Sequence, residues 1–506
     1  MKKMYVRELL NKWDQKIIQF IVSLRQNGYR LSKKEITQEL SLTRPTLIKL
    51  VKDINSIFCA LEGYKLVVEN DYYILEMSLE NNLRDLFIYL LGDSRKYQII
   101  REIFKKTTIN VNYFCDMYQI SRHTYYSELK ELNTLLTEFN LKVTDNRLKG
   151  SEMQIRYFYA SLFSKTYEKE IIDPIAQEYL SPRFIEDFAK SFQVDLGHSS
   201  YYELGLYFYI TAKRYERKEN QKVALEEGFA NRTYALKNRN LFIQQLANSA
   251  VIDELNDIVK RNYTRYHWLN HKNEQVFLLF FLMGHYVSST HSLLYEEIVK
   301  IERNSNNYSE EVIDFFLRHS GNHSDADLIK STRYNLSKVL WKQLIFAGNI
   351  SKEHDTYSGD YKSDLCPQAV NFFEELRKTL SNQFKGIEYK NGNNKELLVN
   401  FGINYSILIK QKKKKFDVGL FFEGNPGVVR ATMDYYLTEL NKYSYISAAK
   451  WQEGEEYDLI VTNSEILNFE KRNEKVFYIS LSEPSFNIKK IISLAVDSSN
   501  SGLFPD

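Results

Sequence analysis

The sequence predicts a multidomain, mainly α-helical chain that opens with two tandem winged helix-turn-helix units and closes with a small α/β domain. Three observations carry that prediction. Residues 36–55 and 114–133 repeat one pattern of apolar and polar sites at a fixed offset of 78. Residues 155–411 are dominated by aromatic-rich amphipathic segments of helical period. From about residue 414 the pattern changes to short apolar runs alternating with helical stretches.

The bulk composition sets outer limits. A chain of 506 residues, at roughly 150 per domain, points to three to four domains or more. Hydrophobic residues are 43% and charged residues 26%, which excludes a wholly disordered chain. The net charge of +3 is uninformative until it is divided along the chain. Residues 1–160 hold 25 basic and 19 acidic side chains, the remainder 43 and 46, and residues 1–52 alone hold 12 and 4. Positive charge is therefore concentrated where a phosphate backbone can use it. Cys59, Cys115 and Cys366 make no disulfide framework, and no CxxC pair occurs. The start lacks an apolar leader core, and the longest apolar run, Val276 to Gly284, is about half of the ~20 residues of a membrane span. The expectation is a cytoplasmic protein with no membrane partner.

Taken in order, residues 12–27 have helical period and stop at Gly28. Ser32 with Glu35 forms a capping box for a helix through Leu40. After a tight Ser41-Leu42 turn, Thr43 caps a further helix with Pro45 in its first turn and Leu47, Leu50, Val51 and Ile54 facing the core. Strands at 66–68 and 72–75, joined by Glu69-Asn70-Asp71, complete the order helix, helix, turn, helix, hairpin. The second copy repeats it as [ST]-R-x-T-φ-φ-x-x-φ-K-[DE]-φ-N, with φ apolar or aromatic, and adds its own hairpin around Asp145-Asn146. Helices follow at 201–216, 241–259, 273–288, 310–318, 335–346 and 367–380. The last part reads as strands at 416–422, 444–449, 457–462 and 476–481, with helices at 428–441 and 484–496, a largely parallel sheet.

A recognition helix places its first two turns against bases and phosphates. The candidate DNA contacts are Thr43, Arg44, Thr46, Lys49 and Lys52 in the first copy. In the second they are Ser121, Arg122, His123, Tyr125, Tyr126 and Lys130. Lys65 in the first hairpin, and Arg147 and Lys149 in the second, are candidates for backbone or minor-groove contact. Arginine can bridge guanine O6 and N7, and a helix start suits phosphate oxygens. Cys115 aligns with Thr37, a small-residue site where two helices pack. No GxxxxGK[ST], GxGxxG after a strand, HExxH or GxSxG is present, so no catalytic residue, metal or cofactor is expected. His267 and His271 at i, i+4 lack a third ligand, and the Glu423–Gly427 loop reads as an ordinary turn more readily than as an anion nest.

These features resemble the Mga/AtxA/RofA-like virulence regulators of Gram-positive bacteria. The resemblance rests on the paired units with their [ST]-R-x-T motif, the helical middle, the α/β end and the stretch Asp145 to Tyr157. It implies winged units at 1–80 and 81–160, two phosphotransferase-system regulation domains (PRD-like) at 161–290 and 291–411, and a IIB-like dimerisation domain at 412–506. It further implies a DNA-binding transcription regulator, a homodimer, and a phosphotransferase-system phosphocarrier as partner. The positions expected to hold regulatory histidines are Tyr202 and Phe281 here, leaving His285 and His198 nearby as candidate phosphorylation sites. The IIB cysteine is absent from Phe422-Glu423-Gly424. A phosphotransferase component and a protein-binding scaffold are the alternative readings.

Overall fold

The computed structural model describes residues 4, 6–78, 81, 83–167, 169–194, 198–217, 239–264, 266, 269, 271–285, 293–304, 308–320, 325–348, 350, 400–405, 407–408, 416–443, 446–464, 475–479 and 484–501. The chain forms two compact units. One comprises residues 1–321 and 325–403, the other 322–324 and 404–506.

The first unit begins with α1 (Lys12–Gln26), whose cap Asn11 accepts hydrogen bonds from the Trp13 and Asp14 amides. Gly28 and Tyr29, both left-handed, turn the chain into β1 (Arg30–Ser32). The expected Ser32/Glu35 capping box starts α2 (Lys33–Glu39). Helix α3 (Arg44–Ala60) follows, then the antiparallel hairpin β2 (Tyr64–Glu69) and β3 (Tyr72–Met77), with β1 added on the β3 side. The third strand has only three residues and no periodicity, so sequence pattern does not announce it.

After α4 (Leu83–Gly92) the arrangement recurs as α5 (Arg95–Lys106), α6 (Val111–Met117), α7 (Arg122–Leu136), β4 (Lys142–Thr144) and β5 (Arg147–Lys149). The repeat extends to backbone detail. The second helices are capped by Ser32 and Asn110, and the turns after them use left-handed Ser41 (φ 50°) and Gln119 (φ 49°). The Leu42 amide donates to Thr37 O and the Ile120 amide to Cys115 O, each at 3.0 Å. The acid of the shared motif is used alike. Trp13 Nε1 donates to Asp53 Oδ2 at 2.9 Å, and Lys96 Nζ to Glu131 Oε2 at 3.1 Å, tying each recognition helix to the start of the first helix of its copy.

Ten helices complete the described part of this unit: α8 (Glu152–Thr166), α9 (Lys169–Tyr179), α10 (Pro182–Phe192), α11 (His198–Glu216), α12 (Arg239–Ala247), α13 (Ala250–Asn262), α14 (Lys272–His285), α15 (Leu293–Asn304), α16 (Tyr308–His319) and α17 (Ala326–Ile345). The helix expected over 241–259 is two helices. Ser249 adopts extended geometry as a cap and its hydroxyl donates to Leu246 O, which breaks the ladder there. The helix expected at 367–380 lies outside the described residues. One apolar core runs from Met4 to Ile350.

Helix α8, directly after the second hairpin, is the hub of this core. Gln154 exchanges two hydrogen bonds with the Ala347 backbone, at 2.7 and 2.9 Å, and Tyr157 donates to Gly348 O at 3.0 Å while stacking on Phe346 at 4.3 Å. Gly348 has φ +77°, and a Cβ there would lie 2.7 Å from Phe139, so position 348 admits only glycine. Glu152 accepts from Arg156 and Arg214, and Arg156 forks onto Glu274, joining α8, α11 and α14 through a buried, charge-balanced quartet.

The second unit contains β6 (Phe416–Phe421), α18 (Pro426–Leu440), β7 (Ile446–Lys450), β8 (Leu459–Thr462), β9 (Val476–Tyr478) and α19 (Pro484–Ser501). The four strands are parallel in the order β7-β6-β8-β9. Val418, Leu420, Tyr436, Leu440, Val461 and Ile491 fill its core. Asn441 clamps Ala448, its side chain bonding both the amide and the carbonyl at 3.0 Å.

Candidate nucleic-acid interface

Each recognition helix begins with the shared motif, and the structure explains the spacing. Thr43 and Thr46 bring their hydroxyls to 2.7 Å, and Ser121 and Thr124 to 2.9 Å. The arginine between them is the first helical residue and is exposed in both copies. Arg44 is thus free to reach outward, and Arg122 is oriented by a hydrogen bond from Nη2 to Asn112 Oδ1 at 2.5 Å. The exposed helix starts present their positive dipole ends, the arrangement that suits phosphate oxygens, although Pro45 lacks an N–H and the Thr124 amide is bonded to Ser121.

Of the other candidates, Lys49, Lys52, His123, Tyr126 and Lys130 are exposed, and Thr46 is half-buried. Lys49 sits over the Trp13 ring at 4.8 Å. Tyr126 is 54% exposed, and its counterpart Ile48 is 61% exposed, so both copies show a large side chain on the outer face.

Tyr125 is a correction. It is fully buried, edge-on to Phe114, with its hydroxyl donating to Asn146 at 3.3 Å. Burial pushes its phenol up to about 12. The helix turns the preceding and following residues outward and this one inward, so Tyr125 belongs to the core and not to the contacting face. Cys115 is likewise buried, as its packing role predicts.

The hairpins hold the remaining candidates. Lys65 lies in β2 beside Glu76 of β3, with ammonium and carboxylate 3.3 Å apart. Arg147 and Lys149 are exposed on β5, and Asp145 and Asn146, both left-handed, form the two-residue turn that twists with the strands. Lys142 was missed. It is exposed opposite Lys149 and shares its outer face, because Val143 and Leu148 point inward. The two-residue Asp-Asn turn fixes that register, so the signal is in the sequence. Asn133 locks the hairpin to α7, accepting from the Val143 amide at 2.6 Å and donating to its carbonyl at 3.0 Å.

The positions tied to phosphorylation lie far along the chain. Tyr202 is half-buried on α11. Phe281 is buried on α14 and stacks on Tyr207 at 4.4 Å, and Glu274 is engaged by Arg156. His198 begins α11 and His285 ends α14, but their side chains lie outside the described residues.

Residues 79–163, which contain the second copy with its hairpin, match the family model for the Mga helix-turn-helix domain. That stretch is what the chain shares with the Mga-like regulators. The Mga-type domain thus spans α4 to most of α8, and its recognition helix is α7. No curated protein matches the chain. No helix among the described residues is long and apolar enough to cross a membrane.

Proposed function

We propose that this chain is a transcription regulator that binds duplex DNA through two winged helix-turn-helix units acting together in the cytoplasm, and is not an enzyme. The observation that carries the reading is the pair of recognition helices, each opening on an exposed arginine between two hydroxyl residues, in the same backbone setting. In this reading the helical middle is PRD-like and senses a signal, and the parallel-sheet unit is IIB-like and pairs subunits. Pairing would link four DNA-binding units and raise their effective concentration without new contacts.

Two features of this chain count against direct phosphoryl transfer. Phe281 stands buried where a histidine would accept phosphate. In the parallel-sheet unit, the loop after β6 carries Glu423, whose carboxylate accepts from Ser464 Oγ at 2.5 Å, in place of a cysteine. A carboxylate there repels an incoming phosphoryl group.

Mapping DNA bound by the full chain across a genome supplies the operator. Arg44→Ala and Arg122→Ala should then each weaken operator binding by about 1–3 kcal/mol and relax preference at one base step. Unchanged affinity and footprint for both variants would sink the reading.

A further inference from the structure

The two hairpins differ in charge in a way the repeat does not announce. Residues 64–77 contain one basic side chain, Lys65, against Glu69, Asp71 and Glu76. Lys65 is matched with Glu76 at the end of the hairpin remote from its turn. The turn is held to α2: the Lys33 amide donates to Asp71 O at 2.7 Å, and Lys33 Nζ donates to Asn70 O at 2.6 Å. The charges of the turn itself are the acids Glu69 and Asp71, both exposed, and only Asp71 is offset, by the Lys33 ammonium 3.7 Å from its carboxylate.

Residues 142–149 reverse this balance, with Lys142, Arg147 and Lys149 against Asp145. All three cations are exposed, and no ion pair engages them among the described residues. Lys142 and Lys149 are direct cross-strand partners. Like charges so placed destabilise a hairpin, and an anion lying between them removes the cost. The hairpin is also fixed in place. Beyond the Asn133 clamp, Asn146 accepts at its carbonyl from the Ile109 amide at 3.2 Å and at its side chain from Tyr125, whose counterpart in the first copy is Leu47. A rigid cationic edge beside a recognition helix suits phosphates. An acidic turn near a polyanion does not.

We propose that the second hairpin alone grips the DNA backbone, through Lys142, Arg147 and Lys149, and that the first hairpin stays off the phosphates. This rests on the chain being a duplex-binding protein. The test is a salt titration of the full chain with a fluorescein-labelled mixed-sequence duplex several helical turns long. Replacing Lys142, Arg147 and Lys149 together by Gln should shrink the slope of log K against log salt by about 0.9 per contact. Lys142→Gln alone should remove about 0.9, which keeps the test open if the triple variant misfolds. Lys65→Gln and the pair Glu69→Gln/Asp71→Asn should leave slope and affinity unchanged. A retained slope in the second-hairpin variants overturns the proposal, as does a slope loss with Lys65→Gln or tighter binding when the acids are neutralised. If the unaltered chain binds no duplex, the DNA-binding reading falls and takes this one with it. If it binds and only the variants fail to respond, the hairpin assignment falls alone.

Discussion

At the scale of single residues, the two copies of one motif do unequal things. Ser121 accepts a hydrogen bond from the Thr124 amide at 3.0 Å, whereas Thr43 caps no backbone amide and only meets the Thr46 hydroxyl. Ser121→Ala should therefore cost about 1 kcal/mol in urea unfolding and Thr43→Ala distinctly less. Glu35 offers a pH test. Hydrogen bonds from Ser32 hold its carboxyl below the usual value of 4.5. A depressed acid contributes stability that is complete above its unfolded value and lost as pH falls through its folded one. Glu35→Gln should flatten the stability curve below about pH 4.5 and leave the slope above it unchanged. The inward position of Tyr125 is legible in the sequence: the 78-residue offset pairs it with Leu47, a core site, and pairs Tyr126 with Ile48. A helix turns neighbours about 100° apart, so two adjacent tyrosines face different ways.

At the scale of elements, capping chemistry made most boundaries in the first unit legible, including the Ser32 box, Pro45 near the start of α3 and the stop at Gly28. What stayed hidden depends on partners distant in sequence or on few residues. β1 forms only because β3 lies alongside it, and the break at Ser249 hangs on one side-chain bond. The matched turns at Ser41 and Gln119 hold L-residues in the left-handed region. That geometry costs about 1–2 kcal/mol, against about 0.5–1 for the extra chain entropy of glycine. Gln119→Gly should thus raise the melting temperature slightly, by up to about 1 kcal/mol of stability, and Ser41→Gly should act in the same direction. Asn133→Ala removes both partners of Val143 and should cost about 1–3 kcal/mol, with local loss of amide protection in β4 and β5.

At the scale of the whole molecule, the strongest ties within the first unit are those that local pattern does not reveal. Arg156 is 2% exposed on a helix, a place where sequence reading alone expects a solvated cation. Its partners lie 4 and 118 residues away, and Arg214 completes the balance from 62 residues beyond Glu152. Breaking such a quartet on one side strands a charge. Glu274→Gln should destabilise the chain by about 3–5 kcal/mol. A variant that instead replaces all four members with apolar residues of similar volume should fold nearly as well, and calorimetry distinguishes the two cases. The charge division between residues 1–160 and the rest was visible from the start. The charge counts of the two hairpins are legible there too, and the structure adds which of those charges are paired.

The bonds between Gln154 and Ala347 span 193 residues, and they bear on how the protein is made. A ribosome emits the whole of α8 well before the segment that covers it, so the nascent chain carries Phe139 and Tyr157 without that cover for the interval of synthesis between them. At ~5–20 residues per second that interval is roughly ten to forty seconds. A fragment ending at residue 166 is therefore expected to bind hydrophobic dyes and to aggregate, although it contains both recognition helices intact. Chaperone capture of the stalled nascent chain, strongest just before residue 346 emerges, would be the signature in the cell.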